Sequence, residues 1–293
     1  VGFEDTGKIT GVDFIQMTRC GWSLDLSIPV ADRAMLHADN AYLLENARIE
    51  SHRLRTNTQS ATAYRGFGGP QGILGIERIM DHIAATLDLD PAEVRRVNYY
   101  ADMGTGPSTE PDTGQTTPYG MPVTDAIMHA MTDRHLIEAN YTARRAAIAD
   151  WNAQNPILKK GIGISPVKFG ISFTLTHLNQ AGALVHVYQD GSIQLNHGGT
   201  EMGQGLFQKV AQVAASEFGV SIDAIKITAT DTAKVPNTSA TAASSGADLN
   251  GMAIKAACTT IRDRMSLFLK EYFGSDAIAF QDGTVTAGPH SLS

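Results

Sequence analysis

Three stretches of mostly small residues each run straight into a helical pattern, and this repetition constrains the chain more than any bulk property. They are Arg65-Gly66-Phe67-Gly68-Gly69-Pro70-Gln71, His197-Gly198-Gly199-Thr200-Glu201-Met202-Gly203-Gln204-Gly205 and Thr238-Ser239-Ala240-Thr241-Ala242-Ala243-Ser244-Ser245-Gly246. A helix start exposes backbone N–H groups at the positive end of the helix dipole, and small residues let a ligand approach them, which suits an anionic cofactor. For any single loop, glycine that merely makes a turn is favoured by roughly two to one. Three such loops in one chain shift the balance toward a site. None is a dinucleotide fingerprint, because the first lacks G-x-G-x-x-G spacing and no acidic residue follows a first βαβ unit at about twenty residues. None ends in the Gly-Lys-Ser/Thr of a phosphate-binding loop.

The rest of the chain supplies both kinds of element. Residues 8–18 alternate around Ile9, Val12, Phe14 and Ile15 as a strand, and residues 29–44 carry a helix-like mixture. The polar residues 48–64 read as extended or looped. Ile73, Ile76, Met80, Ile83, Ala84 and Leu87 recur at helical steps, predicting a helix over 71–87, and Asp90-Pro91 starts a second. Residues 103–122 lack periodicity and are expected to form a long loop or an inter-lobe linker, whereas 124–154 read as one helix ended by Pro156. Strands are expected over 167–176, 181–188 and 192–197, the last two joined as a hairpin. Two strand-then-helix units follow, with helices around 207–218 and 249–268. A mixed α/β (α+β) fold in two lobes results, divided as residues 1–122, a helical connection 123–160, and a second lobe 161–293.

At 293 residues the chain exceeds the usual single-domain size, and its 28 glycines exceed the roughly 7% average. The 23 basic and 30 acidic residues give a net charge of −7, which disfavours nucleic acid or an anionic membrane as partner. A small molecule or another protein is expected instead. Cys20 and Cys258 form no disulfide framework, zinc motif or redox pair, which fits a reducing, cytoplasmic compartment. No run approaches the roughly 18 apolar residues of a membrane span. The opening Val1-Gly2-Phe3-Glu4-Asp5 has no signal-peptide character, and the two ends read as cuts in a longer chain. The nine histidines are scattered and no H-E-x-x-H occurs, so no direct protein ligand to a metal is expected. Any metal should arrive in its own organic ligand.

Ala63-Tyr64-Arg65-Gly66-Phe67-Gly68-Gly69-Pro70-Gln71, Phe169-Gly170-Ile171-Ser172-Phe173-Thr174, Gly198-Gly199-Thr200-Glu201-Met202-Gly203-Gln204-Gly205 and Asn237-Thr238-Ser239-Ala240-Thr241-Ala242-Ala243-Ser244 resemble, in order and spacing, the molybdopterin-domain motifs of the xanthine dehydrogenase/oxidase family. The resemblance runs from Val1 to at least Gly251. It implies a molybdenum cofactor (Mo-molybdopterin) held by residues of this chain, with FAD and 2Fe-2S clusters on a partner subunit or on a region outside it.

Residue by residue, the resemblance implies that Arg33 anchors a substrate oxygen and stabilises charge developing on a purine ring. Without it, an arginine on a helix is usually a solvated surface charge. Arginine at this position favours purines over aldehydes as substrates. Phe67 and Phe173 match the two phenylalanines that flank the flat substrate, and Thr174 matches a substrate contact. Arg65, Gln204, Ala242, Ala243 and Ser244 match positions around the cofactor, although Gly246 stands where relatives often carry serine. Glu201 is given no catalytic role.

The reaction implied is oxidation of hypoxanthine and xanthine to urate, with water as oxygen source and electrons leaving through iron–sulfur clusters and FAD to NAD. The general-base glutamate is expected beyond Ser293, so no residue here is nominated for it and the isolated 293-residue chain is expected to be inactive. The assembly implied is a homodimer of heterodimers. The alternatives are an aldehyde or other N-heterocycle hydroxylase of the same family, or a non-catalytic assembly subunit.

Overall fold

Near the N-terminus, β1 (Gly2–Phe3), β2 (Ile9–Gly21) and β3 (Ala47–Arg55) form a three-stranded sheet in that order. The strands β1 and β2 are antiparallel, whereas β2 and β3 are parallel, in register from Val12 opposite Ala47 to Arg19 opposite Leu54, with a bulge before Gly21 opposite Arg55. Parallel neighbours need a crossover, and α1 (Ser27–Leu36) lies within it. In this computed structural model the described residues are 1–102, 114–234 and 238–292, in two compact units, Val1–Gly170 and Ile171–Ser293.

In the first unit the predicted amphipathic helix forms as α2 (Gly69–Leu87), with Pro70 in its first turn. Its buried face, Ile76, Met80, Ile83 and Ala84, packs with Ile9, Val12, Tyr42 and Val94 in one core. The Asp90 side chain accepts from the Ala92 N–H at 2.8 Å and starts α3 (Pro91–Arg96), as the Asp-Pro pair predicts. The single helix expected over 124–154 is two: α4 (Met128–Glu138) and α5 (Tyr141–Gln154). Asn140, at φ 50°, breaks it in a left-handed conformation that asparagine tolerates. The start of α4 is set from a distance, since the Asp102 carboxylate accepts from the N–H groups of His129 and Ala130 at 2.8 and 2.7 Å. Of the loop expected over 103–122, residues 103–113 lie outside the described ones.

The second unit holds a sheet of β4 (Ala183–Val187), β5 (Ile193–His197) and β6 (Ile225–Ile227). The hairpin β4/β5 is antiparallel and β5/β6 is parallel, with α6 (Leu206–Phe218) in the crossover. The helix α7 (Gly246–Phe273) packs with α6 over this sheet around Leu195, Leu206, Val210, Ile254 and Cys258. Both expected strand-then-helix units are present. A third sheet was not anticipated: β7 (Ile278–Gln281), β8 (Thr284–Ala287) and β9 (His290–Leu292) form an antiparallel meander. Asp282 and Gly283, both at positive φ, make its two-residue turn.

No strand forms over 167–176. Side chains replace a sheet partner there: the N–H groups of Lys168, Gly170 and Phe173 donate to Asn40 Oδ1, His37 Nε2 and Asn179 Oδ1. No helix among the described residues is long and apolar enough to cross a membrane, and both cysteines are buried and free.

Candidate cofactor and substrate site

Arg33 lies in the last turn of α1 and is only 2% exposed. Its Nη1 donates to the Gly170 carbonyl, and its Cζ lies 5.8 Å from the centroid of the Phe67 ring and 5.5 Å from that of Phe169. Burial pushes its pKa below the ordinary value, yet a guanidinium remains charged. The surface-charge explanation for Arg33 therefore does not hold.

Phe67 is held at φ 52° between Gly66 at 93° and Gly68 at 100°, a tight turn that leaves the ring 2% exposed. The glycines around it are explained by packing. A Cβ at Gly68 would overlap the Val30 carbonyl, one at Gly72 the Ala34 carbonyl, and one at Gly69 the Phe169 ring. The first small-residue stretch thus lets α2 press against the backbone of α1 at the turn that carries Arg33, and its glycines need no anion to account for them. Arg65, at the start of the stretch, is exposed.

Residues following Arg33 fasten the segment 166–170. The Gly170 N–H donates to His37 Nε2 at 2.9 Å, Asn40 Nδ2 donates to the Pro166 carbonyl at 2.8 Å, and Lys168 pairs with the buried Asp39. These contacts carry Phe169 to within 5.0 Å of the His37 ring. Sequence reasoning gave neither Phe169 nor His37 a role; the four-residue spacing of Arg33 and His37 on one helix face was the available signal.

In the second unit, Asn179 pairs with both backbone groups of Phe173, accepting from its N–H at 2.8 Å and donating to its carbonyl at 2.9 Å. Phe173 is buried and Thr174 half-buried. The preceding N–H, of Ser172, donates to the Ala243 carbonyl at 3.1 Å, bringing the Phe173 segment to the third small-residue stretch. That stretch is tied to the second by the Thr200 N–H, which donates to Thr241 Oγ1 at 2.8 Å.

The second and third stretches differ at their helix starts. Ahead of α6, the Glu201 carboxylate accepts from the N–H groups of Gly203, Gly205 and Phe207 at 2.8, 3.0 and 3.1 Å. These bonds, that from Phe207 foremost, hold its carboxyl below the usual range. Gln204 braces the same loop, donating to the Thr200 carbonyl at 2.8 Å and accepting from the Met202 N–H at 2.5 Å. A carboxylate of this chain thus takes the place an anion would fill. Ahead of α7 the N-cap Ser245 makes no side-chain cap and donates instead to the Ala242 carbonyl at 3.0 Å, and the acidic residue of the first turn is Asp248.

The Ser239 hydroxyl is buried and has no hydrogen-bond partner among the described residues. Ala242, Ala243 and Ser244 leave only small side chains beside the start of α7. The third stretch therefore fits an anionic cofactor. Where serine was noted in relatives, a Cβ at Gly246 would lie 3.2 Å from Thr241 Cγ2, so this position is tightly packed. Asn237, quoted in the same motif, lies outside the described residues. Among the described residues no three His, Cys, Asp or Glu side chains gather to hold a metal ion.

Backbone strain marks the same places. Nine non-glycine residues have positive φ among the described ones, and five of these, Asp25, Asn40, Asp88, Asn140 and Asp282, are the types that tolerate it. The other four are Phe67, Ser172, Ala243 and Ser244, and each belongs to a motif singled out in the sequence. Strain at non-Asx residues persists only where surrounding structure enforces it, and it gathers at functional sites.

Comparison with known proteins gives the family. Two profiles described as molybdopterin cofactor-binding domain match residues 1–99 and 135–292. The chain is 44% identical over 265 residues to a xanthine dehydrogenase of Oryza sativa subsp. japonica and 46% identical over 265 residues to a xanthine dehydrogenase/oxidase of Gallus gallus. Each match covers 90% of this chain but only 19% of the relative, so the chain spans about a fifth of the length of these proteins. Among solved structures, quinoline 2-oxidoreductase from Pseudomonas putida 86 matches with a TM-score of 0.77 at 22% identity, over 98% of this chain and 37% of that one. Aldehyde oxidoreductase from Desulfovibrio desulfuricans gives a TM-score of 0.72 at 22% identity, over 96% of this chain and 28% of that one. These structural matches establish the fold. Together with the sequence matches they show that the chain is a mixed α/β molybdopterin cofactor-binding region and belongs to the xanthine dehydrogenase family of molybdenum hydroxylases.

Proposed function

We infer that the whole protein of which these residues form part oxidises hypoxanthine and xanthine to urate, with water as the oxygen source. The observation that carries this reading is Arg33, a buried cation against the faces of Phe67 and Phe169. A desolvated guanidinium suits the oxygen of a flat heterocycle and strengthens its hold as negative charge develops on the ring. An aliphatic aldehyde offers no ring to fill such a setting.

In this reading Arg33 anchors the substrate, Phe67 and Phe173 flank its ring, and Thr174 touches it. Ala242, Ala243 and Ser244 offer backbone groups to the cofactor at the start of α7, Gln204 acts through the loop it braces, and Arg65 adds positive charge. When bound, the molybdenum cofactor supplies the two-electron redox chemistry and the Lewis acidity that no side chain can. Electrons leave through 2Fe-2S clusters and FAD to NAD, in a cytoplasmic homodimer of heterodimers.

A second heterocycle remains in view because the chain is also 43% identical over 280 residues to nicotinate hydroxylase hnxS of Emericella nidulans. With nicotinate, Arg33 would receive a carboxylate.

The test is Arg33→Gln in the complete protein, purified with any co-expressed partner. Losing a charge-assisted hydrogen bond is expected to raise KM for hypoxanthine about 10- to 100-fold, while turnover of a simple aldehyde changes little. Unchanged purine kinetics would overturn the reading; wild-type turnover of nicotinate without hypoxanthine would favour the second.

A further inference from the structure

Of the side chains that fasten segment 166–170 to the end of α1, His37 is the one whose hydrogen-bonding capacity changes on the acid side of neutral pH. Its Nε2 accepts from the Gly170 N–H at 2.9 Å, so Nδ1 carries the proton and donates to the Arg33 carbonyl, 2.8 Å away. The Gly170 carbonyl in turn accepts from the Arg33 guanidinium. A closed circuit results: Arg33 backbone, imidazole, the backbone of Gly170, Arg33 side chain. Phe169 lies beside it, 5.0 Å from the imidazole and 5.5 Å from Arg33 Cζ.

A protonated imidazole has two donors and no acceptor, so it cannot receive the Gly170 N–H. The charged groups facing His37 are Arg33 on α1 and Lys168 on the fastened segment, with Asp39 paired to Lys168, while α2 approaches through Gly72. Burial first, and then the two cations, hold the imidazole below its ordinary pKa, which keeps the circuit closed at neutral pH.

We propose that His37 is a positioning residue: in its neutral form it fixes Gly170, and through it Arg33, for an oxygen-bearing heterocycle, and its protonation opens the circuit and weakens substrate binding. The inference rests on the reading of Arg33 as the substrate anchor.

The experiment uses the complete enzyme as wild type, His37→Gln and His37→Ala. It reads kcat and KM for the heterocycle the wild type oxidises and for a simple aldehyde between about pH 5 and 8, together with the hydrogen-exchange protection of the Gly170 amide. In the wild type, heterocycle KM should rise and Gly170 protection should fall together toward the acid end. Glutamine keeps an acceptor that does not titrate, so His37→Gln should hold KM within about threefold of wild type and flatten both pH profiles. His37→Ala should raise heterocycle KM roughly tenfold at neutral pH and spare the aldehyde.

An equal loss on both substrates in a fully molybdenum-loaded His37→Ala enzyme would contradict the proposal, as would pH-independent Gly170 protection in the wild type. Should His37→Ala fail to fold, the pH profiles of His37→Gln decide. A wild type that oxidises no heterocycle would remove the functional reading, while Gly170 protection still reports on the circuit directly.

Discussion

A buried arginine is costly unless its charge has work to do or partners to meet, and Arg33 keeps a carbonyl partner and two aromatic faces at the end of a short helix. Its burial was not legible in the sequence, because one basic residue among apolar ones on a helix reads as a surface charge. Only the family motif raised it above that. Phe67 was more legible, since glycine on both sides of an aromatic announces an unusual backbone, and φ 52° is what the structure shows. The positive φ of Ala243 and Ser244 had no such signal; alanine and serine adopt it because the neighbouring Ser172 and Ala242 contacts hold them. Relieving that strain should be measurable. Ala243→Gly is expected to stabilise the protein by about 1 kcal/mol, read as a raised thermal midpoint, with cofactor retention reduced if the strained backbone serves the site. An unchanged or lower midpoint would mean that local contacts already compensate the strain. His37 adds a pH dependence: its folded pKa lies below the unfolded value, so the unfolded chain binds the proton first. The stability it contributes is full above about pH 6.5 and declines as pH falls.

At the level of elements, periodicity and caps served well wherever structure is local. The helices behind the first two small-residue stretches start close to where expected, because proline and glycine punctuation is written beside them, whereas α7 starts at Gly246, ahead of the expected Leu249. What failed was set by distant partners. Segment 167–176 looked like a strand by composition, yet His37, Asn40 and Asn179 take its N–H groups. The start of α4 depends on Asp102, far back in the chain. Asp102→Ala should cost about 1 kcal/mol, seen as faster hydrogen exchange confined to the first turn of α4; uniform exchange across the helix would contradict the cap. Gly72→Ala would force a methyl into the Ala34 carbonyl and should cost about 1–3 kcal/mol, appearing as a lowered melting temperature. Tolerance of that substitution would mean that α1 and α2 are not in close contact. The Glu201 carboxyl is held below the ordinary range by backbone N–H donors, so its hold on loop 197–205 is complete at neutral pH and is lost as pH falls through its folded pKa. Amide exchange at Gly203 and Gly205 in wild type and Glu201→Ala checks this: the variant should lose protection at neutral pH.

Over the whole molecule, the sequence carried the fold class and the family, and relatives 43–46% identical over 265 to 280 residues agree with both. It did not carry the division of labour among the three stretches, which is packing in the first, a self-capped loop in the second and a helix start without a side-chain cap in the third. Because these residues span 19% of the relatives they match, turnover is expected only from the complete protein, and the isolated 293-residue chain should be inactive. The central claim is that these residues hold a molybdenum cofactor and that Arg33 binds a purine substrate. It is tested most directly by measuring the molybdenum content and xanthine-dependent urate formation of the complete gene product, purified with any co-expressed partner. Molybdenum near one atom per chain together with urate is the predicted result; molybdenum with turnover of aldehydes alone would contradict the assignment of Arg33, and absence of molybdenum would contradict the account as a whole.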